Sequence, residues 1–412
     1  VKQAAAVANC RLGLLEEAKA KAIVAAAREV ADGLHDDAFP LDVMQGGAGT
    51  STNMNMNEVL ANRGLELMGH PRGSYRALHP NDDVNLSQST NDTYPTAVRV
   101  ALIMTVPTLA GALARLAEAF AAKASTFDGI QKLGRTQLKD AVPMTLGKQF
   151  RAFAVTLRED LTRLTEAADL LREINLGGTA IGTGVAAHPG FGALAREELV
   201  RLTGERLEPA SDLIEASWDA GAYVHMSGAL KRIAVKLSKI ANDLRLLASG
   251  PRGGIGEIRL PPVQPGSSLM PGKVNPVIPE MVNQVAFTVI GGDMTVTMAA
   301  EAGQLQLNPF EPVIAATLLR AMRLLSNAAD KLAVRCVAGI EADAAACARH
   351  LDAGTANATA LVPIIGYERA AALAKEALTS QRPLADIVRE NGGLPGTDFA
   401  ALFGDRPPGR RE

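Results

Sequence analysis

The sequence predicts a mainly α-helical protein organised around an extended bundle of long helices, and three observations carry that prediction. Hydrophobic residues make up 47% of the 412 residues but aromatics only 4%. The core must therefore be built from Ala, Leu, Val, Ile and Met, and Ala and Leu are among the strongest helix formers. Leu230, Ile233, Leu237, Ile240, Leu244 and Leu247 follow one another at spacings of three and four, which is the seam of a helix packed in coiled-coil style. Several stretches with this periodicity are longer than the usual globular helix, and helices of that length often pack against copies of themselves.

In chain order, the run Gly46 to Asn53 precedes a helix that ends near Gly69. A long helix follows from about Thr93 to Ala122. Phe150, Phe153, Leu157, Leu161, Leu164, Ala168 and Leu171 trace the stripe of the next one. The seam above belongs to a helix from about Trp218 to Ser249. Two more run from about Pro276 to Ala302 and from Pro312 to Val337. After about Cys347 the pattern shortens into pieces such as Glu368 to Thr379 and Leu384 to Glu390, which reads as a small separate domain. Strand signals are weak throughout. The length suggests two or three domains.

Charge and cysteine content narrow the function classes. A formal net charge of -2 gives no electrostatic reason to expect nucleic acid or an acidic membrane as partner. Cys10, Cys336 and Cys347 are too few and too scattered for a disulfide framework or a zinc site, and read as thiols in a reducing compartment. No apolar run is expected to span a bilayer and no signal peptide opens the chain, so a cytoplasmic protein is the simplest expectation. The first residue is Val1 and not Met.

The chemistry-bearing residues lie in the breaks between helices. Gly46-Gly47-Ala48-Gly49-Thr50-Ser51-Thr52-Asn53, Ser87-Gln88-Ser89-Thr90-Asn91-Asp92 and Gly134-Arg135-Thr136-Gln137 each precede a predicted helix. Such residues cap helix starts in any protein. Three clusters this rich in hydroxyls and amides also suit anion binding, because a helix N-terminus presents free N–H groups and a positive dipole end. A fourth break holds Gly253, Gly254 and Gly256, then Gly266-Ser267-Ser268-Leu269-Met270-Pro271-Gly272-Lys273-Val274-Asn275-Pro276. Asn275 with Pro276 suits a cap and first turn, and the long Gly-rich loop before them suits a lid. Ser267 lacks a nucleophile elbow, and no phosphate-loop pattern occurs. Spacing alone stops at a small anion bound between helix ends. His188 reads as a surface-loop histidine and Trp218 as packing.

The run from Gly266 to Asn275 resembles the signature loop of the aspartase/fumarase superfamily. Gly47 to Asn55 and the stretch from His79 through Asp92 are similar to two further active-site segments of that family, in the same order. Gly134-Arg135-Thr136-Gln137-Leu138-Lys139-Asp140 resembles the aspartase version of a segment in which fumarases carry His where Gln137 stands. Asp212 to Ala216 and Met298 to Asn308 also resemble aspartases. The resemblance implies a mainly α, three-domain fold whose central bundle of long helices forms a tetrameric core. The expected boundaries are 1–88 for an N-terminal helical domain, 89–346 for the bundle and 347–412 for a small C-terminal domain. Against that pattern, the chain begins inside the family's first domain and its tail is short.

The resemblance further implies elimination of ammonium from L-aspartate to give fumarate, with no organic cofactor and no metal site, in a homotetramer whose active sites draw on three subunits. Ser267 would be the base. Thr50, Ser89, Thr90 and Ser268 would hold the carboxylate that takes up charge, and Thr136, Lys273 and Asn275 the other carboxylate. Asn91 and Gln137 would contact the amino group, with Met270 and Glu280 in support. Two other readings stay open: a class II fumarate hydratase, and a catalytically inactive structural or binding member of the same fold.

Overall fold

The computed structural model describes residues 1–266 and 269–391. In chain order the helices are α1 (Lys2–Arg11), α2 (Glu17–Ala31), α3 (Thr50–Leu67), α4 (Thr90–Thr126), α5 (Leu146–Asp169), α6 (Phe191–Thr203), α7 (Gly221–Leu247), α8 (Val277–Glu301), α9 (Glu311–Arg335), α10 (Ala344–Ala353), α11 (Ala358–Ile365), α12 (Tyr367–Ser380) and α13 (Leu384–Glu390). The strands are β1 (Gln131–Thr136), β2 (Lys139–Thr145), β3 (Glu173–Ile174), β4 (Glu208–Pro209), β5 (Ile258–Arg259) and β6 (Glu341–Ala342).

The predicted seams are buried where the periodicity places them. Leu230, Ile233, Leu237, Ile240, Leu244 and Leu247 on α7 are all buried, as are Phe150, Phe153, Leu157, Leu164 and Ala168 on α5. By proximity the chain groups into two compact units. One comprises residues 1–111, 160–235 and 285–327, the other the described parts of 112–159, 236–284 and 328–412. The division cuts through the long helices rather than between elements.

In the first unit α1 packs on α2 and α6, and α2 on α3, around Leu15, Ile23, Leu60, Leu65, Leu78 and Val84. Strands β3 and β4 pair in parallel. In the second unit β1 and β2 form an antiparallel hairpin, and α10 packs on β1. Phe120, Phe127, Phe150 and Phe153 form a cluster of tilted and edge-on rings with centroids 5.2–5.9 Å apart. A small core of Leu361, Leu373, Leu384, Ile387 and Val388 joins α11, α12 and α13.

Four expectations are corrected. Gly134 to Gln137 does not open a helix; it forms the end of β1 and the hairpin turn. The burial of β1 does not alternate along the strand, so the period that would betray it in sequence is absent. Helix α8 starts at Val277, with Pro276 in the flanking position, so Asn275 lies one residue outside the cap. Trp218 follows a short 3-10 turn ahead of α7 and is 43% exposed, so it does not open that helix and is not part of this chain's core. Finally, α4 at 37 residues is long and apolar enough by length and composition to cross a membrane. Its apolar stretch is 44% buried against the protein, and Arg99, Arg115 and Asp92 lie along it.

Candidate active site

The start of α3 is built on a left-handed backbone. Gly49 has φ +88° and is the N-cap, so Thr50 is the first helical residue. The Thr50 hydroxyl donates to the Gly47 carbonyl at 2.6 Å, and the Gln45 side-chain oxygen accepts from the Thr52 N–H and hydroxyl. The first N–H groups of such a helix have no partner within it and carry the positive end of its dipole.

The start of α4 is closed by a reciprocal capping box. Ser89 Oγ accepts from the Asn91 N–H at 3.2 Å, and Asp92 Oδ1 accepts from the Ser89 N–H at 2.9 Å, which satisfies two otherwise orphaned donors. The other oxygen of Asp92 accepts from the N–H groups of Gly177 and Thr179, each at 3.0 Å. Asn91 donates to the Ala180 carbonyl at 2.7 Å and accepts at its own carbonyl from Asn175. The 175–180 loop is thereby fixed to the helix start. Burial pushes the Asp92 carboxyl up, while the N–H groups it accepts from, and the Thr93 hydroxyl, pull it back.

A buried polar network joins the two helix starts. Asn53 Nδ2 donates to Thr90 Oγ1 at 3.0 Å and to Asn85 Oδ1 at 3.2 Å. The same Asn85 oxygen accepts from Asn57 at 3.1 Å and from Lys2 Nζ at 2.9 Å. Burial pushes the Lys2 ammonium down to about 7, with Asp92 opposing. Thr50, Ser89, Thr90 and Asn91 therefore all lie in the first unit, at two helix starts joined through Asn53.

The remaining candidates belong to the second unit. Thr136 is exposed at the end of β1, and the hairpin tip is Gln137 and Leu138, at φ +53° and +61°. Two successive non-glycine residues in the left-handed region are costly and tend to persist at functional sites. The hairpin is anchored below its tip by Glu257, which is fully buried and pairs with Arg135 at 2.8 Å and with Lys132 at 2.7 Å.

Ser267 and Ser268 lie outside the described residues. Around them, the backbones at Gly266 and Lys273 come so close that a Cβ on Gly266 would overlap the Lys273 carbonyl oxygen; only glycine fits there. Lys273 is exposed, its N–H donating to the Met270 carbonyl at 3.2 Å. Met270 is 45% exposed. Asn275 and Glu280 are half-buried, and the Glu280 N–H donates to the Pro276 carbonyl in the first turn of α8. His188 is exposed, as expected, and its Nδ1 accepts from the Gly190 N–H.

Residues 1–291 match the family described as lyase, and residues 358–404 match the fumarase C C-terminus. The chain belongs to the aspartase/fumarase superfamily of lyases. Within this superfamily it is 58% identical to the aspartate ammonia-lyase of Pseudomonas aeruginosa, over 98% of this chain and 85% of that protein. It is 51% identical to that of Escherichia coli K12, over 98% and 84%. Among solved structures, a fumarate lyase:delta crystallin from Brucella melitensis bound to cobalt is 58% identical, with a TM-score of 0.95 over 98% of this chain and 87% of that one. A class II fumarase from Schistosoma mansoni is 35% identical, with a TM-score of 0.94 over 98% and 87%. The mainly α fold predicted from the seams is the fold of this superfamily.

Several residues of the site went unread in the sequence. Asn53 and Asn85 lie inside segments already singled out, and Asn53 with Asn57 share a helix face, a signal that could have marked them. Lys2 and Glu257 offer no local signal, since their partners are 83 and 122 residues away.

Proposed function

We propose that the chain is an aspartate ammonia-lyase that reversibly eliminates ammonium from L-aspartate to give fumarate. The observation that carries this reading is the contrast in similarity: 58% identity to an aspartate ammonia-lyase against 35% to a class II fumarase, each over 98% of the chain. Gln137, standing where fumarases carry His, agrees with it.

Removing the proton beside a carboxylate creates a doubly charged aci-carboxylate, so the main catalytic demand is electrostatic stabilisation of that species. Ser267 takes the proton as an alkoxide, a form that requires N–H donors and a site closed to water. Thr50, Ser89, Thr90 and Ser268 hold the carboxylate that gains charge, at helix starts whose dipoles favour anions. Thr136, Lys273 and Asn275 hold the other carboxylate. Asn91 and Gln137 contact the amino group, Glu280 orients the Gln137 region, and Met270 is in support. Ammonium departs already protonated.

The working form in this reading is a homotetramer with sites shared among three subunits, organised as 1–88, 89–346 and 347–412, in the cytoplasm. Two features support shared sites. The resemblance to the superfamily implies such sharing, and the apolar side chains Phe287, Met294 and Met298 stand more than 60% exposed along one side of α8, an apolar face that calls for a partner.

Fumarate formation, followed by ultraviolet absorbance with L-aspartate and L-malate supplied in parallel, tests the reading. Fumarate from aspartate alone is expected. Fumarate from malate alone would make the chain a hydratase, and turnover of neither by an intact tetramer would make it an inactive member of the fold.

A further inference from the structure

The start of α4 carries a break that the mechanism does not use. Pro95 lies inside that helix and has no N–H, so the carbonyl of Asn91, four residues earlier, loses the donor it would meet in an uninterrupted helix. A side chain supplies the missing donor. Asn175 is 2% exposed, and its Nδ2 donates to the Asn91 carbonyl at 3.0 Å. The backbone carbonyl of Asn175 accepts from the Gly178 N–H at 2.9 Å, so the same residue also starts the turn of the 175–180 loop.

The rest of that loop is tied to the helix start through its backbone. The N–H groups of Gly177 and Thr179 donate to Asp92, and the Ala180 carbonyl accepts from Asn91 Nδ2 at 2.7 Å. Thr179 is held at φ +55°, a conformation that a β-branched residue seldom adopts. The contact at Ala180 fixes which way the Asn91 amide faces. A carbonyl oxygen only accepts, so the amide nitrogen points to Ala180 and the amide oxygen points elsewhere. Among the described residues nothing donates to Asn91 Oδ1, and the side chain is half-buried. A turned amide would set two oxygens against each other and present its NH2 instead. An alkylammonium carries N–H donors and no acceptor, so only the observed orientation serves it.

We propose that Asn175 is a positioning residue for the amino-group contact: by bonding the Asn91 carbonyl that Pro95 leaves open, it holds the Ala180 carbonyl where it keeps the Asn91 amide oxygen free for the substrate ammonium. The proposal rests on the reading of Asn91 as a residue that meets the amino group. Of the hydrogen bonds that join the loop to the helix start, the one from Asn175 uses a loop side chain. Recognition of the amine therefore depends on a buried residue that acts through Asn91.

The amination direction reads the amine subsite by itself, because ammonium and fumarate are varied separately on the full assembly. Asn175→Leu keeps the side-chain volume and removes the donor. In this variant the KM for ammonium is expected to rise about tenfold, the scale of one misplaced hydrogen bond to a charged group, while the KM for fumarate stays within about twofold of native. Asn175→Ala reads the same way should the leucine variant fail to fold. Added to Asn91→Ala, either substitution is expected to bring no further rise, since residues acting through one contact are not additive. Equal rises for ammonium and fumarate, an unchanged KM for ammonium, or a further rise on top of Asn91→Ala overturns the proposal. Asn91→Ala alone separates the two levels. If it leaves the KM for ammonium unchanged, the reading of Asn91 itself fails and takes the proposal with it. If it raises that KM while the Asn175 variants do not, Asn91 keeps its role and that of Asn175 falls.

Discussion

Thr50 and Thr90 begin two different helices, 40 residues apart in the chain, and Asn53 connects them by reaching from the first turn of α3 to the Thr90 hydroxyl. That geometry depends on Gly49. Gly49→Ala places a side chain at φ +88° and against the Tyr94 ring, so a loss of about 1–3 kcal/mol of stability is expected from the strained backbone, with a raised KM for aspartate; urea midpoints and steady-state kinetics read the two effects separately. Ser267→Ala is expected to lower kcat roughly 100- to 10,000-fold, as for loss of a positioned general base, with the assembly mass unchanged. Turnover at the native rate would exclude Ser267 as the base. The segments rich in hydroxyls and amides were singled out from the motif alone. Tyr94 was not, because its meaning comes from the Gly49 backbone that the fold sets against its ring.

At the scale of elements, the long helices announced themselves and the hairpin did not. The predicted ends of the helix carrying the Leu230–Leu247 seam fell within three residues of Gly221 and Leu247, because a three-and-four period is a local property of the chain. Strand β1 has no alternating burial, and what holds it is a tertiary ion-pair group. Lys132 and Arg135 converge on Glu257, from a segment more than 120 residues on. Removing the shared carboxylate leaves two cations without their partner, one of them 4% exposed. Glu257→Ala is therefore expected to cost about 3–5 kcal/mol and, since Arg135 adjoins Thr136, to raise KM as well. Denaturant unfolding with unchanged stability would show that the group is dispensable.

For the molecule as a whole, assembly and pH provide the tests. Met294→Glu puts a charge in the exposed apolar face of α8, about four turns along that helix from Glu280, the candidate residue nearest in sequence. If sites are shared among subunits, the variant should lose both assembly mass and activity; full activity from a monomer would refute sharing. Glu311, the first residue of α9, gives a global signature through its titration. Its carboxyl is raised from the ordinary range to about 8, so between those values the folded state holds a proton that the unfolded state has released. Its contribution is fully present at acid pH and is lost as pH rises through about 8. Glu311→Gln lacks that loss, so its urea midpoint relative to native should climb from pH 5 to 9 and then level. A constant difference would mean that the carboxyl titrates alike in both states.

The sequence by itself determined the helical class, the extent of the long helices and the polar segments that carry the chemistry. Each of these is encoded by residues within one or two turns of each other. The tertiary structure decided which segments meet: Lys2 with Asn85, Asn53 with Thr90, Gly49 with the Tyr94 ring, and Glu257 with the hairpin. Those pairings join residues from tens to more than a hundred positions apart, and no local period records them. They exist only because packing the apolar seams removes water from the groups left inside, and a buried polar group must then find its partner or change its charge.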